Sequence, residues 1–199
     1  RGVKVKNRVN NSIWRTLRRL IKWIFPLFLY FSGYAYINSL INKNNVRILV
    51  YHRINNDKKD LLSVNVKSFE KQMQFLKENY NIISLNEMLE YFEKKKHPPP
   101  NSVVITFDDG YKDNYTNAFP ILQKYSIPAT IFLVYNYIGK NILFKWDSNV
   151  TDKAVSATLN WTEIIEMSKR GIHFGAHTIT HPILTEIPFN EAKKEIRDS

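Results

Sequence analysis

An α/β fold built on a parallel sheet is what the sequence predicts. Three observations carry that prediction: strand-like and helix-like segments alternate along the chain, two of the strand-like runs are apolar on both faces, and ionisable residues collect where strands end. In such folds functional groups sit at the carboxyl ends of the strands.

The first element is VRILVYH, residues 46–52, a run of β-formers bounded by asparagine pairs, which reads as a buried strand. FEKQMQFLKENY follows, with Phe69, Met73 and Leu76 on one helical face and Ser68 as the expected N-cap. A short strand is expected at 81–83. Ser84 and Glu87 then form a capping box for LNEMLEYFEKKK, whose apolar stripe is Leu85, Met88, Leu89 and Phe92, and HPPP stops that helix. SVVITF, residues 102–107, alternates too little to be half-exposed and predicts a strand covered on both faces. The segment to Tyr125 reads as helical, with Pro120 imposing a late start or a kink. PATIFLV, residues 128–134, is a second covered strand. Thr162 is the expected cap of EIIEMSKR, Gly171 ends it, and IHFGA, residues 172–176, supplies a further strand.

The chain's 199 residues, 44% of them hydrophobic, suffice for one sizeable core. With no cysteine, disulfides and thiolate metal sites are excluded, so a metal would be held by His, Asp and Glu. The net charge of +11 suggests a nucleic-acid binder until it is located. Residues 1–53 hold 11 Lys and Arg and no acid, whereas residues 54–199 balance 18 basic against 18 acidic side chains. A nucleic-acid partner is therefore not expected.

The sequence divides into a flank, residues 1–45, and a domain, residues 46–199. Within the flank, residues 15–42 run from Arg15, Arg18, Arg19 and Lys22 into an uncharged stretch at 23–42. Twenty such residues are about enough to cross a bilayer, and many are aromatic, which suits an interface equally. If the stretch spans, eight basic residues before it against three after it place the domain outside. A helix packed on the domain and a targeting segment are the alternatives. The expectation is a membrane-associated protein with an extracytoplasmic domain, or a secreted one. Oligomeric state is not legible.

The chemistry collects at three strand ends: His52 closes the first, Asp108 and Asp109 the SVVITF strand, and His177 follows IHFGA, with His181 four residues on. Two imidazoles at this spacing and one aspartate make a ligand set with open positions, suited to a catalytic Zn²⁺ or similar divalent ion. Adjacent carboxylates repel unless each has separate work, and the second aspartate is then free to act as base on water at the ion. Loop histidines and an Asx turn at DDG are the readings without a metal.

TFDDG at residues 106–110 with HTITH at 177–181 resembles the leading motifs of the polysaccharide deacetylases, the NodB-homology domains of carbohydrate esterase family 4. ILVYHRI and SFEKQMQFLKENYNIISLNEM are similar to the poly-N-acetylglucosamine deacetylase branch. The resemblance covers residues 46–199. It implies a distorted, incomplete (β/α) barrel, truncated at its C-terminus because the family continues past the position of Ser199 with a further motif and its last strands. It also implies Asp108 as general base, Asp109, His177 and His181 as metal ligands, and His52 as general acid. Tyr111 is expected to line the substrate groove and Thr178 to pin the ligand loop. Trp146 and Trp161 are weaker candidates for stacking on sugar rings, and His173 for supporting the ligands.

The expected function is thus removal of N-acetyl groups from an amino-sugar polysaccharide. The alternative is a noncatalytic glycan-binding or scaffold protein on the same fold.

Overall fold

In a computed structural model of the chain, the described residues are 45–57, 62–141, 144 and 157–199, with scattered positions between 18 and 37. Two compact units emerge, Arg1–Lys43 and Asn44–Ser199. Most of residues 15–42 and Trp146 lie outside the described residues, and among the described residues no helix is long and apolar enough to cross a membrane.

The second unit is built on strands β1 (Arg47–Tyr51), β4 (Asn81–Ile82), β5 (Ser102–Phe107), β6 (Ala129–Leu133) and β7 (Ile172–Ala176), all pairing in parallel. The order is β1-β5-β6-β7. Because β1 takes one edge of β5 from Val103 to Phe107, the other edge is shared, β4 pairing at Ser102–Val103 and β6 at Thr106–Phe107. A separate parallel pair joins β2 (Arg53–Ile54) to β3 (Ser63–Val64). The described residues form an open sheet.

Strand β5 is buried at all six positions, as its unbroken apolar run predicts. Its two faces serve different layers. Val103, Ile105 and Phe107 enter the main core with helix α1 (Val66–Asn79), α3 (Phe119–Lys124) and α4 (Trp161–Lys169). Val104, on the opposite face, packs with Ile83 and with Met88 of helix α2 (Leu85–Glu93). Burying each large side chain of this kind contributes about 1.5–3 kcal/mol, so β5 is the strand around which the rest assembles.

Strand β1 departs from the expectation of full burial. Ile48 and Val50 remain 48% and 54% exposed while Leu49 packs on the core. A run of β-formers with apolar residues on both faces cannot reveal which face has a partner. Two helix starts also differ. Helix α1 begins one turn early, with the Asn65 side chain accepting from Lys67 and Ser68, so Ser68 lies inside the first turn. Helix α4 is capped by Asn160 in a reciprocal box with Glu163, so Thr162 is already helical. The Ser84–Glu87 box forms as expected. Before α3 the chain makes a π-helical turn at Asn114–Ala118, and Pro120 falls in the first turn of the α-helix, where its missing N–H costs nothing. Helix α5 (Phe189–Arg197) closes the chain.

Candidate metal centre

The site forms where β1, β5 and β7 end. Tyr51 and Phe107 are in register, and the Asp108 N–H donates to the Tyr51 carbonyl at 2.9 Å, so His52 and Asp108 leave their strands side by side. On the far side of β6 the His177 N–H donates to Leu133 at 2.8 Å, which sets the HTITH loop at the same end of the sheet.

The turn at DDG is tightly constrained. Asp109 and Gly110 both have positive φ, 71° and 66°, a conformation that Asp tolerates and Gly adopts without strain. A Cβ on Gly110 would meet Leu133 Cδ2 at 2.5 Å. Gly110→Ala is therefore expected to destabilise the fold by about 1–3 kcal/mol through combined backbone strain and overpacking, measured as a lowered urea midpoint with unchanged slope.

The loop carrying the histidines is also held in an unusual path. Thr178 and His181 have φ of 65° and 57°, and for a β-branched residue that is a genuine outlier. Three sets of hydrogen bonds hold it. The Thr178 hydroxyl accepts from the His181 N–H at 3.0 Å. Thr178 and Ile179 carbonyls accept from Tyr135 and Asn136 N–H groups. The Glu195 carboxylate on α5 accepts from the N–H groups of Ile179 and Thr180, each at 2.9 Å, and from the Thr180 hydroxyl at 2.7 Å. Partial burial works against the charge of Glu195, yet the bonds from Thr180 and Ile179 prevail and hold its carboxyl below the ordinary range.

These constraints bring Asp109, His177 and His181 together, with one ligand atom from each within 4.8 Å of the others. Asp109 Oδ1 lies 3.3 Å from His181 Nε2 and 3.5 Å from His177 Nε2, and the two imidazole nitrogens are 3.0 Å apart. Bonds of about 2.0–2.1 Å at tetrahedral angles put neighbouring ligand atoms about 3.3–3.4 Å apart, so the triangle has the dimensions of one face of a zinc site. Asp109 is 2% exposed, and neither of its carboxylate oxygens has a hydrogen bond of ordinary geometry. A sealed carboxylate whose nearest polar neighbours are two imidazoles is costly unless a cation sits against it, either a metal ion between the three groups or a proton on His181. The residues present fit a divalent ion.

Electrostatics tie the remaining residues to this triangle. Burial pushes the His177 imidazole down from its ordinary value, opposed by the charges of Asp108 and Asp109 and reinforced by those of His181 and His52. The Asp109 carboxylate beside His181 holds that imidazole above its ordinary value, against burial. Asp108 is therefore near enough to act on both imidazoles, and His52 on that of His177. The histidine side chains are 31% and 28% exposed, so the cluster opens to solvent on their side.

Tyr111 corrects the expectation of a groove-lining ring. It is fully buried, with the Arg53 guanidinium 3.9 Å over its ring centroid and Phe144 meeting it edge-on. An aromatic directly after a turn can fold inward as readily as outward, and here the cation fixes it inward. Trp161 is 56% exposed at the start of α4, whereas His173 meets Asn86 of α2 at 3.3 Å and is not part of the cluster. Three contributors escaped the sequence reading: Glu195, Arg53 and Asn114. Glu195 shows no signal beyond lying 18 positions after His177, and a lone glutamate on a polar helix carries none.

Comparison with known proteins fits this arrangement. The sequence profile of the family described as polysaccharide deacetylase matches residues 95–199, more than half of the chain. The chain is 36% identical over 153 residues to YxkH of Bacillus subtilis, covering 76% of this chain and 49% of that protein. It is 42% identical over 112 residues to the poly-beta-1,6-N-acetyl-D-glucosamine N-deacetylase of Staphylococcus epidermidis, covering 49% of this chain and 38% of that one. The chain thus spans about half the length, or less, of the curated relatives it matches. Among solved structures, the Streptococcus pyogenes deacetylase PplD in complex with acetate superposes with a TM-score of 0.64 at 29% identity, over 77% of this chain and 65% of that one. IcaB from Ammonifex degensii superposes at 0.57 with 26% identity, over 67% and 53%.

Proposed function

Because the chain belongs to the polysaccharide deacetylase family, we propose that it is a metal-dependent hydrolase removing N-acetyl groups from an amino-sugar polysaccharide of the poly-N-acetylglucosamine type. The observation that carries this reading is the Asp109–His177–His181 triangle, with a sealed carboxylate at its base and Asp108 and His52 beside it. Asp109, His177 and His181 would hold the ion, and two imidazoles with one carboxylate oxygen suit Zn²⁺. When bound, it supplies Lewis-acid stabilisation of the oxyanion that develops on the acetamide carbonyl.

The other residues divide the proton transfers. Asp108, partly exposed, takes a proton from the attacking water as its oxygen bonds to the carbonyl carbon. His52 gives a proton to the nitrogen as the C–N bond breaks, leaving a free amine on the sugar and acetate. Thr178 keeps His181 in place through the bond to its N–H. Buried Tyr111 has no substrate contact in this scheme. The basic run before residues 23–42 supports membrane association of the flank, with the domain on the extracytoplasmic side.

The purified chain is expected to release acetate from β-1,6-linked N-acetylglucosamine oligomers, to stop when treated with a chelator and to recover on adding Zn²⁺. Acetate release indifferent to chelation would overturn the metal assignment. Oligomer binding without acetate release in the zinc-loaded protein would favour the noncatalytic glycan-binding alternative.

A further inference from the structure

The ladder between β1 and β5 ends at Tyr51 and Phe107, so the backbone of His52 lies just past the last paired residue. Residues 53–55 pair by backbone bonds with the segment at β3, while the carbonyl of His52 itself is taken by a side chain. Asn114 is fully buried and donates its amide to the His52 carbonyl at 2.8 Å and to Asp113 Oδ1 at 3.2 Å. Asp113, 7% exposed, accepts from the Asn55 amide on its other oxygen at 2.9 Å. Asn55 in turn accepts from the Ser63 hydroxyl at 2.7 Å, and the Asn117 amide donates to the Ile54 carbonyl at 2.7 Å. The segment 52–55 is thereby fastened to the turn that directly follows DDG, across some sixty residues of sequence.

We propose that Asn114, steered by Asp113, is a positioning residue that fixes His52 relative to Asp108. The proposal rests on the function assigned above, since it takes those two side chains as acid and base. Joining two buried segments needs no polar atoms, and apolar packing would do it without the cost of desolvating an amide and a carboxylate. Here the desolvated groups are spent on segment 52–55, and the fully buried amide among them, that of Asn114, is spent on the carbonyl of the ionisable residue at the strand end. A misplacement of an ångström costs a proton transfer about 100-fold, so a fixed backbone at His52 has a direct return in rate.

The test is Asn114→Leu, which keeps the branched shape at a somewhat greater volume and removes the donor. In the zinc-loaded chain kcat for acetate release is expected to fall roughly tenfold or more, with KM within about twofold. Zn²⁺ affinity stays at the parent level. In the histidine ¹H–¹³C spectrum the His52 signal, assigned with His52→Gln, shifts or broadens while those of His177 and His181 stay in place. An unmoved His52 signal, or Zn²⁺ affinity falling in step with kcat, would overturn the proposal. Should Asn114→Leu not fold, Asp113→Asn carries the same readouts, because Asn55 and Asn114 donate to different oxygens of the carboxylate and an amide keeps only one of them as an acceptor. The spectrum needs no turnover, so a parent chain that releases no acetate counts against the proposed function and leaves the positioning result to be decided on its own.

Discussion

His177→Ala is expected to abolish stoichiometric zinc binding while leaving the fold intact. The parent chain with Zn²⁺ at about 100 times its Kd should gain about 2.7 kcal/mol of stability, because the ion binds only the assembled triangle. For a chain of this size that is a rise in Tm of roughly 5–10 °C. The variant should show none of it, with Kd raised about 100-fold at least, the upper range already seen when mere supporting residues of metal ligands are lost. Asp109 explains the severity. Its carboxylate is sealed, and two of the three sides of the triangle run to its Oδ1, so removing one imidazole leaves a buried charge facing a single nitrogen. The metal-free variant should unfold close to the metal-free parent, since His177 has a 31% exposed side chain and fills no core position. Calorimetric titration beside thermal melts separates the two effects. Undiminished zinc binding by His177→Ala would show that the triangle is a hydrogen-bonded cluster and no more.

How much of this was readable beforehand follows from the range of the forces involved. Strand β5 was legible because six consecutive apolar or small residues have few other fates, and the strand ends because parallel sheets gather their polar groups there. From these, the meeting of one of the two adjacent aspartates with His177 and His181 could be anticipated without any knowledge of distance, while the choice of Asp109 came from the resemblance to the deacetylases. Local capping was legible only where one reading existed: Ser84 with Glu87 was unambiguous, while Asn65 and Ser68 competed for one helix start and Asn160 and Thr162 for another. What stayed hidden needed tertiary contacts. Ile48 and Val50 have the same composition whether or not something covers them. Tyr111 turns inward because Arg53 arrives from a segment nearly sixty positions earlier. Asn114 looks like one more polar residue in a turn until the carbonyl it serves, 62 positions away, is known. Positive φ at Thr178 is likewise invisible in a threonine, which ordinarily avoids it.

The adjacent carboxylates allow the sharpest discrimination. Asp108→Asn is expected to lower kcat for acetate release by about 10²–10⁴-fold, the usual contribution of a general base, with zinc still bound at one ion per chain. The two aspartates differ in access. Asp109 is sealed and aims Oδ1 at both imidazoles, so it cannot reach a water approaching substrate; Asp108, one residue earlier on an extended strand end, is partly open and its backbone N–H is committed to Tyr51. Asparagine matches aspartate in shape, so that backbone bond and the turn survive the change. What is lost is one negative charge near the histidines, where Asp108 helps push both imidazoles toward protonation. Its removal weakens attraction for a cation and at the same time weakens competition from protons, so zinc affinity should move by only a few-fold. Asp109→Asn is expected to behave oppositely, losing the ion first and activity in consequence. Single-turnover acetate release and metal content measured on both proteins distinguish the assignments: if Asp108→Asn loses zinc and Asp109→Asn keeps it, base and ligand have been exchanged, and if Asp108→Asn retains parental turnover, the proton leaves by a group other than either aspartate.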